Sequence, residues 1–410
     1  MQHFLSRSTK PLVVSVIALI LCSNLALTPG REKKVDERLT AATSRFAFKL
    51  YHQILKRPAG KNTFVSPASV MMALAMTYNG AAGETRQAMA RAMELEGMSL
   101  EDVNRAFADL KSALAPTDPK VQLKIANSIW IRNGLAIKPA FVERNKQYYA
   151  AEIANLDFAD PMAAQTINSW VNRNTNGKID KIVERIGDDI VMYLINAIYF
   201  KGQWQVEFNK QLTKSEMFRL AGGEQKALPM MARSGDFSYY KGKNFQSVAL
   251  PYGKGNVSMY VFLPDEQTSL DQFEQDLTAE NWEMWMNNFR LTPGDLKLPR
   301  FKVDWEANLN EPLKALGMAA AFDGRADFSL MAEPSAGNKL FISEVKQKTT
   351  CEVNEEGTVA TAVTSVGIGV TSVQEPRERF VMKVDRPFFF AIRDTMSGVV
   401  IFMGSVTNPA

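Results

Sequence analysis

The sequence predicts a single mixed α+β domain that begins after about residue 40. Helical patterns are concentrated at the start of this region and strand patterns dominate the remainder, an order that favours an α+β fold over alternating β-α-β units. Neither an internal repeat nor a low-complexity linker interrupts the chain. A chain of 410 residues is long for one domain, but it can still be built around one large core.

Apolar periodicity predicts the helices. Residues 44–57 are amphipathic, and residues 84–114 predict two further helices with charged faces. Between them, Ser66 and Pro67 precede the almost wholly apolar run VMMALAM. This pattern predicts a buried helix with Ser66 at its N-cap and Pro67 in its first turn. A further amphipathic helix is predicted in INSWVNRNTNGKIDKIV.

Alternating or continuous apolar runs predict the strands. Residues 121–134 alternate, and residues 191–204 (VMYLINAIYFKGQW) are apolar apart from Asn196 and polar residues near the end, as in a strand buried on both faces. A buried amide needs hydrogen-bond partners, which hydroxyls of another element could supply. Further strands are predicted in VALPYGKGNVSMYVFLP, LKLPRFKVDW, KLFISEVKQKTTCEVNEE, FVMKVDRPFFFAIRD and GVVIFMGSVTNP.

The N-terminus predicts export. A basic leader precedes the apolar run PLVVSVIALILCSNLAL and small residues, so residues 1–26 predict a secretory signal peptide cleaved near Ala26. The alternative is an uncleaved anchor, because the run is just long enough to span a membrane. Residues 27–40 would be a linker before the domain at 41–410. Cleavage predicts a secreted, extracellular protein without stable membrane contact, or a periplasmic or cell-surface protein in a bacterium.

The residue inventory excludes several classes of function. Lys and Arg number 48 against 44 Asp and Glu, and no basic block is interleaved with aromatic residues, so no nucleic-acid partner is predicted. The only histidines are His3 and His52, which argues against Ser-His-Asp or Cys-His catalysis and against a zinc site. The two cysteines, Cys22 and Cys351, leave no intrachain disulfide after cleavage. The sequence therefore predicts no enzyme activity, no metal and no cofactor.

One segment near the C-terminus has an unusual composition. From residue 357 to 374 the chain carries no charge and no proline, and consists almost entirely of small, β-branched or glycine residues. Such a segment is typical of a strand without a partner, which promotes aggregation if it stays exposed. A charged run, residues 375–379, follows it.

The chain resembles the serpin family over roughly residues 40–410. The matching segments are NTFVSPASVMMALAM, INSWVNRNTNGKIDKIV, LINAIYFKGQWQVEF, LKLPRFKV, VNEEGTVATA, DRPFFFAIRD and VIFMGSVTNP. This resemblance implies three β-sheets, eight or nine helices and an exposed reactive-centre loop at about residues 355–379.

The resemblance also implies a function. The protein is expected to be an irreversible suicide inhibitor of serine proteases, in which the cleaved loop inserts into the main sheet while the target protease is still attached as a covalent acyl complex. It would be a monomer with a risk of loop-sheet polymers. The alternative on the same scaffold is a non-inhibitory carrier, binding protein or chaperone. The lack of bulky residues, charges and proline in the hinge after Glu356 favours the inhibitor.

Within the loop, the resemblance implies a hinge that comprises Glu355, Glu356, Gly357, Thr358, Val359, Ala360, Thr361 and Ala362. Because strand side chains alternate, Thr358, Ala360, Ala362 and Thr364 share one face. We expect this set to slide beneath a covering helix. Val359 departs from a Glu that is frequent in the family, and we expect it to face outward.

The scissile bond is inferred by counting. With Glu355 as the first position, the seventeenth is Thr371, which places the bond at Thr371-Ser372. The near alternatives are Val370 and Val373. These small or β-branched residues suit elastase-like or subtilisin-like proteases, whereas Arg377 and Arg379 would suit trypsin-like enzymes.

Two further sites are implied by position. Ser66, Ser69 and Asn196 match the family's shutter, where strands of the main sheet part, and Gln347 replaces a histidine that is common there. Trp204 and Arg300 match the breach, at the upper opening of that sheet. Arg300 is expected to pair with Glu355.

Overall fold

The computed structural model describes residues 35–56, 60–115, 118–333, 339–358 and 378–409, and the statements below concern these residues. Nine α-helices lie in this part of the chain, in agreement with the expected eight or nine. They are α1 (Glu37–Leu55), α2 (Pro67–Tyr78), α3 (Gly83–Ala92), α4 (Leu100–Ala113), α5 (Pro139–Tyr149), α6 (Ala163–Asn174), α7 (Leu270–Gln275), α8 (Ala279–Met286) and α9 (Asn310–Leu313). None of the helices in the described part is both long and apolar enough to cross a membrane.

Fifteen strands accompany these helices. They are β1 (Thr63–Val65), β2 (Val121–Arg132), β3 (Glu152–Leu156), β4 (Met192–Gln203), β5 (Lys214–Arg219), β6 (Gln225–Lys241), β7 (Phe245–Tyr252), β8 (Val257–Pro264), β9 (Arg290–Pro299), β10 (Phe301–Asn308), β11 (Glu344–Asn354), β12 (Gly357–Thr358), β13 (Phe380–Lys383), β14 (Phe388–Asp394) and β15 (Val400–Val406).

The first helix begins earlier than the sequence predicted. It starts at Glu37, inside the segment 27–40 that was expected to be a linker. The Asp36 carboxylate accepts a hydrogen bond from the backbone N–H of Arg38 at 2.8 Å and so caps the helix, and Leu39 is already fully buried. The predicted signal peptide, residues 1–26, lies outside the described residues.

Hydrogen bonds join the described strands into two sheets, where three were expected. The smaller sheet has the order β10-β11-β12-β4-β2-β3. The larger sheet has the order β1-β15-β14-β8-β7-β6-β9-β13, with β5 also paired to β6. The 17 residues of β6 explain the difference, because this strand pairs with β9 along residues 230–239 and with β7 along residues 238–241. One long strand therefore belongs to two regions that shorter strands would have left as separate sheets.

The two faces of β4 pack against different layers. Leu194, Ile198 and Phe200 belong to the main core, and the alternate residues Tyr193 and Ile195 belong to a second cluster shared with α6. Helix α2 contacts β4 within the main core, and all twelve of its residues are buried, as the apolar run predicted. The prediction that β4 is buried on both faces is confirmed.

A buried carboxyl group links the first helix to α7. The Tyr51 hydroxyl donates to Glu274 Oε1 at 2.8 Å, and the Thr63 and Ser405 hydroxyls lie beside it, 2.8 Å from each other. On the same side of α1, His52 Nε2 lies 2.9 Å from the Glu274 carbonyl oxygen. Burial raises the pKa of the Glu274 carboxyl to about 7, although hydrogen bonds from Tyr51 and Ser405 oppose this shift.

The pKa of Glu274 predicts a pH-dependent stability. The unfolded chain releases this proton near pH 4.5, whereas the folded protein keeps it until about pH 7. Ionisation of Glu274 therefore lowers the free energy of unfolding. The loss grows as pH rises between these two values and reaches at most about 3 kcal/mol above them. In urea unfolding, the Glu274→Gln variant is expected to have the same free energy of unfolding as the unmodified protein near pH 4.5 and a higher one at pH 8.

Asp271→Asn is the control, because Asp271 is exposed on the same helix. It should change stability little at either pH. An equal effect of Glu274→Gln at both pH values would contradict the burial of an ionisable acid.

Candidate functional site

The smaller sheet is only partly closed between two of its central strands. The parallel strands β4 and β11 pair directly only along residues 193–197 and 344–348. Above this region, no ladder pair joins residues 198–201 of β4 to residues 349–352 of β11 in the described chain. We call these two stretches the open seam.

The top of the open seam holds the two residues of β12. Thr358 pairs with Val353 of β11 on one side and with Gly202 of β4 on the other, antiparallel to both. Gly357 has φ +151°, and a Cβ atom there would lie 2.0 Å from the Gly202 carbonyl oxygen. Only glycine therefore allows the chain to enter the sheet at this point.

Glu355 and Glu356 form the turn that leads into β12. Asn354 at the end of β11 pairs with Gly357, and its side-chain Oδ1 accepts from the backbone N–H groups of Glu356 at 3.0 Å and Gly357 at 3.2 Å. The two acidic residues thus lie in a tight turn and not within a strand. This turn reverses the chain, so Gly357 and Thr358 run antiparallel to β11.

The expected pair between Arg300 and Glu355 is present. Arg300 Nε lies 2.9 Å from both Glu355 carboxylate oxygens, and Nη2 lies 2.7 Å from Oε1. The Thr213 hydroxyl donates to the same oxygen at 2.5 Å. The Glu355 side chain is only 2% exposed, and burial alone would favour the neutral acid. Hydrogen bonds from Arg300 and Thr213 outweigh burial and lower the pKa of Glu355.

Trp204 holds the other side of the turn. Its backbone N–H donates to the Glu356 carbonyl at 2.8 Å, and its indole Nε1 donates to the Asn354 carbonyl at 2.9 Å. Its ring stacks on Tyr252 at a centroid distance of 4.4 Å. Lys210 Nζ lies 2.5 Å from a carboxylate oxygen of Glu356. The turn is therefore held on both sides by residues that lie far from it in the sequence.

The face of Thr358 differs from the sequence-based expectation. Thr358 is 1% exposed, and its hydroxyl lies 2.6 Å from the hydroxyl of Tyr252 on β7. It therefore faces the core between the two sheets, whereas the expectation placed its set of side chains beneath a covering helix. The pairing register explains this difference. Thr358 pairs with Gly202, and Gly202 lies on the same face of β4 as Phe200, which belongs to the main core.

The four predicted shutter residues lie in one buried cluster. Asn196 Nδ2 donates to the Ser69 hydroxyl and, at 2.5 Å, to Asn127 Oδ1. Gln347 Nε2 donates to Asn196 Oδ1 at 2.5 Å, which joins β11 to β4 directly below the open seam. Gln347 also accepts from the Ser66 backbone N–H at 2.9 Å. All the polar groups of Asn196 thus have partners.

Ser66 does not act as the helix cap that was expected. It occupies the N-cap position of α2, but its side chain makes no capping bond. Its hydroxyl instead donates to the Ile401 carbonyl of β15 at 2.7 Å, because the buried end of α2 abuts that strand. In the same region the Thr349 hydroxyl donates to the Phe64 carbonyl.

The sequence did not single out several contributors to this site. Asn127, Tyr252, Lys210 and Thr213 each contact a predicted residue across a long sequence separation. Of these four residues, only Asn127 could have been singled out from the sequence, because it is a polar residue in a segment where apolar residues alternate. Its contact with Asn196 could be anticipated only once β2 and β4 were known to be neighbours, in the register that pairs them.

The predicted scissile bond Thr371-Ser372, its alternatives Val370 and Val373, and Arg377 lie outside the described residues, as do hinge residues 359–362. Arg379 is described. Its guanidinium lies 3.1 Å from Asp295 and 3.2 Å from the Gly294 carbonyl, and the next residue, Phe380, stacks on Tyr239 at 4.0 Å. Arg379 thus contacts β9 through an ion pair at the surface.

Three comparisons agree with this architecture. A family model described as Serpin (serine protease inhibitor) matches residues 41–409. Leukocyte elastase inhibitor from Bos taurus is 36% identical over 385 residues, which cover 91% of this chain and 100% of that protein.

Solved structures are also similar. A thermophilic serpin, Tengpin, in the native state matches with a TM-score of 0.85 at 35% identity, covering 91% of this chain and 95% of its own. Thyroxine-binding globulin in complex with thyroxine matches with a TM-score of 0.81 at 26% identity, covering 91% and 99%. The chain therefore belongs to the serpin family, which is described as a family of protease inhibitors.

The shutter predicts a large effect of one substitution. Asn196→Ala removes the hydrogen bonds to Ser69, Asn127 and Gln347 and leaves their buried groups unsatisfied. We expect a loss of about 2–4 kcal/mol in the free energy of unfolding, measured by urea denaturation.

The matched control is Asn288→Ala, which removes one hydrogen bond of an exposed asparagine to the Met284 carbonyl. We expect it to cost less than about 0.5 kcal/mol. Similar losses for the two variants would show that the shutter amide contributes nothing beyond a surface hydrogen bond.

Proposed function

We propose that this protein is an irreversible suicide inhibitor of serine proteases that traps the acyl-enzyme by inserting its cleaved loop into the open seam. The observation that carries the proposal is the position of Thr358, which is already paired on both sides between β11 and β4. The tract that follows it in sequence has the composition of a strand. The protein thus contains the first residues of a central strand, and the open seam lies directly below them.

The chemistry needs no catalytic group from the inhibitor. The protease serine attacks the carbonyl carbon of Thr371, the bond to the Ser372 nitrogen breaks, and that nitrogen leaves as an amine. An ester now joins the protease to the tract that begins at Thr358, and this tract is no longer tethered to β13. Insertion would give it hydrogen bonds to strands on both sides.

The register of β12 supports this path. Continued by two residues, it sets Ala360 opposite Phe200 on β4 and Cys351 on β11. Cys351 is fully buried, so a small side chain suits this position. Val359 would lie opposite Lys201 and Glu352, which retain exposure on the other face.

The same register leads to the shutter. Thr364 would lie between Asn196 and Gln347, so insertion would have to break the hydrogen bond that joins these two amides. A threonine hydroxyl can both donate and accept, so it could replace part of that bond. In this proposal the shutter holds β4 and β11 together below the open seam until a strand with compatible side chains arrives.

The target class follows from the proposed scissile bond. Thr371 and its neighbour Val370 are β-branched and uncharged, which suits elastase-like or subtilisin-like proteases with shallow primary pockets. The similarity to leukocyte elastase inhibitors supports this class. The contacts of Arg379 with Asp295 and Gly294 count against a trypsin-like site there.

A carrier function is the second candidate, because the similar structures include thyroxine-binding globulin. The small, uncharged residues after Gly357 favour the inhibitor, since a carrier has no need of an insertable loop. We also propose that residues 1–26 direct export and are removed. The intact mass of protein recovered outside the producing cells tests this.

The decisive test uses purified protein and a panel of serine proteases. With an elastase or subtilisin, denaturing gels should show a covalent band at the summed mass, and the released C-terminal fragment should begin at Ser372. Loop-cleaved protein should also melt at a higher temperature than intact protein. Cleavage without a covalent band would contradict the inhibitor and favour the carrier, and an unchanged melting temperature would show that no insertion occurs.

Two loop variants test the register. Ala360→Arg would place a charge against the core, so we expect cleavage to continue while the yield of covalent complex falls at least about tenfold. Val359→Arg would face the exposed side and is expected to keep the yield within about twofold. Equal losses for both variants would refute the proposed register, whereas the inhibitor class would still be judged by the protease panel.

A further inference from the structure

A cavity of about 1200 Å³ lies apart from the hinge, the breach and the shutter. It is lined by the C-terminal end of α1, residues 60–63, helix α7, strand β10 and residues 405–408 near the end of the chain. None of its lining residues belongs to the site described above. Its size is sufficient for a small organic ligand.

The cavity walls are partly apolar and partly polar. Ile54, Leu270 and Trp305 are buried residues that supply apolar surface. Glu274 and Ser405 are also buried and supply polar groups, whereas the charged side chains at the rim are exposed. The cavity therefore combines apolar walls and two buried polar groups with a charged rim that is open to solvent.

Glu274 is a buried carboxyl group with no cation beside it in the described part of the chain. It is 4% exposed, and Tyr51, its donor at 2.8 Å, is neutral. Within the described ranges of the chain, the groups that act on the Glu274 carboxyl are Tyr51, Ser405 and Asp271, and none of them is a cation. Lys302 on β10, a cation of the cavity wall, is 3.0 Å from Asp304 and so is already paired. A buried carboxylate in this position gains strongly from a charge-assisted hydrogen bond.

We propose that this cavity binds a small organic amine, with its ammonium group against the Glu274 carboxylate and its apolar or aromatic body against Trp305 and Leu270. An anionic ligand would be repelled by the ionised carboxylate, and a neutral ligand would leave it unpaired.

Other charged groups face the cavity from each element around it. They are His52 and Lys56 on and beside α1, Lys61 on the following segment, Asp271 on α7, and Asp304 and Glu306 on β10. Lys56 and Lys61 are exposed, so water and salt screen their repulsion of an ammonium group. Asp271 and Glu306 carry the opposite charge and offset it.

The test uses the full chain and three probes of similar shape, 2-phenylethylamine, 2-phenylethanol and 3-phenylpropionate. In calorimetric titrations at pH 8, the amine should bind at least about tenfold more tightly than the alcohol or the carboxylate. Its affinity should fall about tenfold between pH 8 and pH 6, because Glu274 takes up a proton near pH 7. This profile tests the proposal on the unmodified protein, independently of any variant.

Glu274→Gln should reduce amine binding to the level of the alcohol and abolish its dependence on pH. Asp276→Asn, at the C-terminal end of the same helix and outside the cavity lining, is the control and should keep amine affinity within about threefold. Equal binding of amine and alcohol, tighter binding of the carboxylate, or an unchanged affinity in Glu274→Gln would each overturn the proposal. Because the cavity shares no residue with the hinge, these outcomes do not depend on whether covalent protease complexes form.

Discussion

The arrangement of the smaller sheet depends on an interrupted contact between its parallel strands β4 and β11. β4 and β11 pair along residues 193–197 and 344–348, and above this region the two residues of β12 separate them. Parallel pairing is slightly less stable per residue than antiparallel pairing, and β12 is antiparallel to both neighbours. A strand that continued β12 would therefore replace a short parallel contact with two antiparallel ones. The interruption leaves positions on both strands that a continuation of β12 would pair with.

The turn at the top of the seam is held by charges and an aromatic ring. Glu355 is buried against Arg300 and Thr213, and Glu356 contacts Lys210. A buried carboxylate that loses its partners is costly, so these contacts define the position of the turn more than they add to stability. Stacked on Tyr252, Trp204 donates hydrogen bonds to two carbonyls of the turn. The position at which the tract enters the sheet is therefore narrowly constrained.

Below the seam, a polar cluster takes the place of apolar packing. Asn196 lies in a strand that is otherwise apolar, and its amide bonds to groups on α2, β2 and β11. Such a cluster favours one arrangement of the strands because any displacement leaves buried groups unsatisfied. Unlike an apolar contact, it can also be taken over by another hydrogen-bonding side chain. The cluster thus favours the present arrangement of β2, β4 and β11 around α2.

The sequence by itself determined the type of most elements, and the four residues that family resemblance grouped as a shutter lie in one cluster. The strand β2, the double burial of β4 and the apolar α2 were readable because side-chain periodicity is a local property. The early start of α1, the merging of sheets through β6 and the hydroxyl partner of Ser66 were not readable, nor was the face of Thr358. Only the tertiary structure decided these features, because each depends on which distant segment lies alongside and in what register, and the local pattern of side chains does not contain that information.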